Sequence, residues 1–97
     1  MALEIRWTRR AQIGYDQIIE YLETQFTESE VRRFVQQTEE FFQLLSTYPE
    51  LLERTQKHKH LHRGPINKYT ILTYRVKPVK KQIELINIRS SRKKPLK

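Results

Sequence analysis

Three histidines, His58, His60 and His62, alternate with Lys57, Lys59 and Leu61 just ahead of Arg63. On an extended strand every second side chain shares a face, so the three imidazoles would line up in steps of about 6.8 Å. Imidazole exchanges protons near neutral pH, and Arg63, Arg75, Arg89 and Arg92 could each clamp phosphate oxygens with two donors. That combination suits RNA cleavage by a 2′-hydroxyl. The reaction needs a base for the attacking proton, an acid or cation at the leaving oxygen, and positive charge around the phosphate. On this reading His60, His62 and Arg92 are the catalytic candidates, and the competing reading is a solvated basic edge strand. The same histidines could in principle hold a metal, but no carboxylate lies close in sequence and the flanking lysines oppose a divalent cation. No metal or other cofactor is expected. With only Gly14 and Gly64, a glycine-rich phosphate cradle is excluded. The absence of cysteine excludes disulfides, thiolate chemistry and Cys-based zinc sites. No turn signature surrounds any serine, so a nucleophilic triad has no support.

Charge is divided along the chain. Residues 1–56 hold six Arg and ten acids, net −4, whereas residues 57–97 hold thirteen Lys or Arg and one acid, Glu84, net +12. Solubility alone does not require such segregation, which creates a field that speeds encounter with polyanions or acidic partners. The surface expected to meet a target or nucleic acid is therefore Arg63, Arg75, Arg89, Arg92, Lys93 and Lys94. At 97 residues the chain is expected to be one domain, with a flexible basic tail from about residue 90 to 97. The N-terminus lacks the apolar run of a signal peptide. The longest apolar stretches fall far short of the roughly 20 residues of a membrane span. A cytoplasmic protein without a membrane partner is the expectation.

The elements that must position these groups are legible as patterns. Leu3, Ile5 and Trp7 alternate with charges and predict a strand over 2–7. Thr8 is a predicted N-cap for a helix carrying Ala11, Tyr15, Ile18, Ile19, Leu22 and Phe26 on one face. Thr27-Glu-Ser-Glu30 is a capping box opening a second helix, which Pro49 must end. The aromatic stripes of both helices read as core, and Arg32 and Arg33 as an ordinary solvated face. Residues 59–63 read as a short strand ended by Gly64-Pro65. Residues 68–77 and 82–89 are rich in β-branched and aromatic side chains and predict two strands joined by Pro78-Val-Lys-Lys81. The expected fold is α+β, β-α-α-β-β-β, with a helical hairpin on a mixed, largely antiparallel four-stranded sheet whose first strand lies parallel to a later one. Tyr69 and Tyr74 are expected on opposite faces of the third strand.

This order and length, with Lys68-Tyr-Thr-Ile-Leu-Thr-Tyr-Arg-Val76, Ile83-Glu-Leu-Ile-Asn-Ile88 and Arg92-Lys-Lys-Pro95, resemble the RelE/ParE superfamily of bacterial toxins over nearly the whole chain. The resemblance implies the toxin of a type II toxin-antitoxin pair, a plasmid stabilisation protein held by a cognate antitoxin whose C-terminal segment wraps it. RelE-like members cut mRNA on the ribosome, whereas ParE-like members poison DNA gyrase. The RelE-like pattern has an Arg directly after the Tyr of strand three and a Tyr in the tail. Here Thr70 follows Tyr69, and no Tyr occurs after Tyr74, although Arg92 stands where the late Arg belongs. The resemblance is thus closer to ParE, and growth arrest by binding gyrase through the basic sheet face and tail is the expected function. Two alternatives stand beside it. One is a metal-independent, ribosome-dependent mRNA endonuclease using His60, His62 and Arg92; the other is a non-catalytic RNA-binding accessory domain.

Overall fold

The computed structural model describes residues 2–56, 58 and 60–91. The order is β1 (Glu4–Trp7), α1 (Arg9–Gln25), α2 (Glu28–Thr47), β2 (Leu61–Asn67), β3 (Thr70–Lys77) and β4 (Gln82–Ser90). The sheet runs β1-β4-β3-β2, with β1 parallel to β4 and the other pairs antiparallel. Both helices pack on one face, where Ala11, Ile18, Leu22, Phe34 and Leu45 meet Leu72, Tyr74, Ile83, Leu85 and Ile88. No helix among the described residues is long and apolar enough to cross a membrane.

Local chemistry sets the joints. The Thr8 hydroxyl accepts the Ala11 amide at 3.1 Å and donates to the Leu85 carbonyl at 2.6 Å, so one side chain caps α1 and ties its start to β4. The Thr27 hydroxyl accepts the Glu30 amide at 3.2 Å, and the Glu30 carboxylate accepts the Thr27 amide at 3.0 Å, completing the expected capping box. Gly14 lets α1 lie directly on β4, because a Cβ there would fall 1.8 Å from the Ile88 carbonyl oxygen.

The second strand departs from the sequence expectation. It begins at Leu61 and runs straight through Gly64 and Pro65, rather than occupying 59–63 and stopping there. The Arg63 amide points away from β3, to the Glu53 carbonyl at 3.0 Å. Backbone groups alternate sides along a strand, so the Pro65 nitrogen also points off the ladder and its missing hydrogen costs no pairing. This is the edge-strand position that tolerates proline. Residues 53–55 cover that edge, with the Thr55 amide bonded to the Leu61 carbonyl at 2.7 Å and Arg54 bridged to His62.

Both tyrosines expected on opposite faces lie on the helix side. Tyr69 precedes β3 and packs edge-on against Phe26 and Phe34. Tyr74 is fully buried; its hydroxyl donates to the Pro49 carbonyl at 2.6 Å and accepts the Leu52 amide at 3.2 Å. One phenol therefore fastens the 49–52 segment to the sheet. Tyr74→Phe strands two backbone groups at once and should cost about 1–3 kcal/mol, read as a lower midpoint in urea.

Burial raises the Tyr74 pKa above its ordinary 10.0, as it does for Tyr15. The nearby carboxylates of Glu50 and Glu39 add to the respective shifts. A raised folded-state pKa means the native state holds its proton longer than the unfolded chain. The corresponding stability is fully present below 10.0 and is lost as pH rises through the folded-state values. Denaturation curves between neutrality and strong alkali should show that decline, and Tyr74→Phe should shrink it.

Candidate functional site

Register divides the sheet into two faces of different chemistry. Opposite the helices lie Arg63 on β2, Thr73 and Arg75 on β3, and Asn87 and Arg89 on β4, with Arg63 paired to Thr73, Thr73 to Asn87, and Arg75 to Glu84. Adjacent strands stand about 4.8 Å apart and same-face residues about 6.8 Å apart. Thr73 therefore sits at the centre of three guanidinium groups borne on three neighbouring strands. Arg63, Arg75 and Arg89 are all exposed and make no ion pair among the described residues. Two other cations of this face among the described residues are engaged, Lys77 with Glu84 at 3.4 Å and Arg6 with Glu4 at 3.5 Å.

A β-bulge creates this arrangement. Thr73 pairs with Asn87 and Tyr74 with Leu85, so Ile86 is an extra residue on β4. Without it, alternation from Ile83 and Leu85 would aim Arg89 into the core. With it, Ile88 is buried and Arg89 is exposed. Thr8 clamps the bulge, its hydroxyl reaching both the Leu85 and Ile86 carbonyls at 2.6 and 3.2 Å.

The histidines do not join this face. The His58 amide is bonded to the Thr55 hydroxyl at 3.3 Å and the Leu61 amide to the His58 carbonyl at 3.3 Å, so a turn replaces the first part of the expected strand. The three imidazoles are thus not lined up along one strand face, although His60 and His62 border a common cleft. His62 alone is in β2, on the helix-covered side. It is 5% exposed, stacked on the Tyr74 ring at 4.9 Å, with Nδ1 2.7 Å from the Leu52 carbonyl oxygen. A carbonyl only accepts, so Nδ1 carries the hydrogen. His60 is exposed and lines a cleft of about 560 Å³ with His62, Glu50, Arg54 and Lys81 at the end of the sheet. Arg92, Lys93 and Lys94 lie outside the described residues. Ser91, just before them, is fixed, its amide bonded to the Tyr69 carbonyl at 3.0 Å and its hydroxyl to the Lys68 carbonyl at 2.6 Å.

Among the described residues the open face has no aromatic side chain, which removes the stacking platform that single-stranded RNA readers use. No cluster of three His or acidic residues could hold a metal ion among the described residues. Among the described residues this face presents a three-strand patch of unpaired guanidinium groups around a hydroxyl and an amide.

A family model described as the ParE toxin of type II toxin-antitoxin system, parDE, matches residues 5–95. The chain belongs to the ParE toxin family. Solved structures of similar fold agree with the architecture. The chromosomal ParDE toxin-antitoxin system of P. aeruginosa has 18% identity, 94% of this chain and 98% of that one covered, and a TM-score of 0.73. The RelBE2 toxin-antitoxin complex of Mycobacterium tuberculosis has 12% identity, 93% and 99% covered, and a TM-score of 0.62. The archaeal RelE-RelB complex of Pyrococcus horikoshii OT3 has 16% identity, 93% and 96% covered, and a TM-score of 0.55. No curated protein matches the chain in sequence. The ParE assignment makes this chain the toxin of a type II toxin-antitoxin system. As a ParE toxin it carries its candidate cations on the sheet face that its helices leave open.

Proposed function

We propose that this toxin arrests growth by binding, without cutting, a large cytoplasmic target through its open sheet face, and that the target is DNA gyrase. Arg63, Arg75 and Arg89 are the anchors, extended by Arg92, Lys93 and Lys94 of the basic C-terminal segment. The observation that carries the reading is the separation of groups across the sheet: three unpaired arginines on the open side, the histidines His60 and His62 off that face, at the cleft on the other. A guanidinium grips carboxylates or phosphates with paired donors but is a poor proton acceptor. A face equipped this way recognises charge and does not supply the base that 2′-hydroxyl attack requires. The ParE assignment and the missing Tyr of the RelE-like tail support the same choice. A cognate antitoxin is the second partner, as in the toxin-antitoxin complexes whose toxins share this fold.

Primer extension on mRNA from a translating extract separates binding from cleavage. With the purified chain added at doses that arrest growth, the expected result is intact mRNA. New ends at ribosomal A-site codons would instead make it an endonuclease, with His60, His62 and Arg92 to be tested singly.

A further inference from the structure

Asn67 closes β2, Lys68 and Tyr69 carry the chain to β3, and between these residues and the two helices lies a cavity of about 340 Å³. Its walls are aromatic. Phe26 after α1 and Phe34 in α2 both meet the Tyr69 ring edge-on, with centroids 5.6 and 6.3 Å away. Two exposed cations, Arg33 and Lys68, line the same cavity. Arg33 forms no ion pair among the described residues, whereas its neighbour Arg32, outside the cavity, meets Glu28 at 3.8 Å. The Lys68 ammonium stands 5.5 Å from the centre of the Tyr69 ring. The one acid of the lining, Glu30, is already engaged, its carboxylate accepting the Thr27 amide and hydroxyl at 3.0 and 3.2 Å.

A buried donor completes the set. Asn67 Oδ1 accepts the Tyr69 amide at 2.9 Å, which fixes the orientation of the side chain and leaves Nδ2 as its donating end. Nδ2 is buried and has no hydrogen-bond partner among the described residues. Buried polar groups are nearly always paired. An orphan donor in the lining of a cavity with two cations therefore points to an acceptor that the chain itself does not supply.

We infer that this cavity is a binding site for a small organic acid, a carboxylate carried on an aromatic or branched apolar body. The carboxylate has two cations and an amide donor to meet, and two cations against one acid suit a single negative charge. The body has the faces and edges of Phe26, Phe34 and Tyr69 to cover. Inorganic phosphate would use the cations and leave those walls bare. A nucleotide is too large, because this volume takes only about ten non-hydrogen atoms, within the lower range of ligand pockets. The cavity lies on the helix-covered side of the sheet, so the inference does not depend on which target the open face meets.

The test is a ¹H–¹⁵N NMR titration of the 97-residue chain with phenylacetate, run beside acetate and inorganic phosphate. The Asn67 side-chain amide and the backbone amides of Lys68 and Tyr69 should shift saturably at about millimolar phenylacetate. Acetate and phosphate should each bind about tenfold more weakly or worse. Arg33→Ala should weaken phenylacetate about tenfold, whereas Arg32→Ala should leave it unchanged; both side chains are exposed, so neither exchange threatens the fold. Asn67→Asp keeps the acceptor for the Tyr69 amide but replaces the donor with an anion, and should abolish the Lys68 and Tyr69 shifts. No saturable shift with the wild-type chain, or equal affinity in Arg33→Ala, would overturn the assignment. Phosphate binding as tightly as phenylacetate would reduce the site to a bare anion contact and equally overturn it.

Discussion

Exchanging Arg63 and Arg89 together for Glu should abolish growth arrest while leaving the thermal midpoint within a few degrees of the wild type. Both side chains are exposed and neither forms an ion pair among the described residues, so the fold loses nothing that held it. At a docked interface the same exchange turns two attractions into two repulsions, and truncating one desolvated charge contact already costs about 2–5 kcal/mol. Target affinity should fall about 100-fold or more. Arg75→Ala should do less, because Glu84 faces it across the β3–β4 pair and already offsets part of its field. Growth curves after induction, with circular dichroism on the purified variants, check both halves. Full toxicity from the double variant would place the active surface elsewhere.

The largest stability effect is expected at Gly14. A methyl group there would stand 1.8 Å from the Ile88 oxygen and 2.9 Å from its carbonyl carbon, both backbone atoms that no rotamer change can move. Gly14→Ala must therefore lift α1 from β4, opening the packing of Ala11, Ile18 and Leu22 against Ile83, Leu85 and Ile88. The cost should reach about 3 kcal/mol or more, a large share of the roughly 5–15 kcal/mol that holds a domain of this size. Gly64→Ala is the control. Its nearest neighbour would be the Leu52 Cδ2 at 3.3 Å, the end of a flexible side chain, so the change should stay within about 1 kcal/mol. Urea titrations of the two variants compare them directly, and equal midpoints would contradict the close approach of helix and strand.

Much of the fold was legible because local signals agreed with the global arrangement. Thr8 and Thr27 announce their helices, Pro49 ends the second, and the β-branched runs of β3 and β4 leave little alternative. The second strand was misjudged because Gly64-Pro65 reads as a turn in isolation. Only the edge position, with the Pro65 nitrogen turned off the ladder, makes the pair compatible with a strand.

The candidate site was legible in composition but not in placement. That Arg63, Arg75 and Arg89 share a face depends on the bulge at Ile86, which no alternation count reveals, since counting from Ile83 puts Arg89 with the core. The expected strand through the histidines erred in the opposite way. Their spacing imitates a strand face, yet the Thr55–His58 hydrogen bonds form a turn, and His62 belongs to the packing beneath Tyr74. Thr73 and Asn87, central to the open face, carry no sequence signal at all; register alone identifies them.

Supercoiling of relaxed plasmid by purified gyrase, with increasing amounts of the 97-residue chain, decides whether gyrase is the target. The expected result is a dose-dependent block by the wild type that the Arg63→Glu, Arg89→Glu variant does not produce, with mRNA intact throughout. Undisturbed supercoiling at doses that arrest growth, or an equal block by the variant, would contradict it.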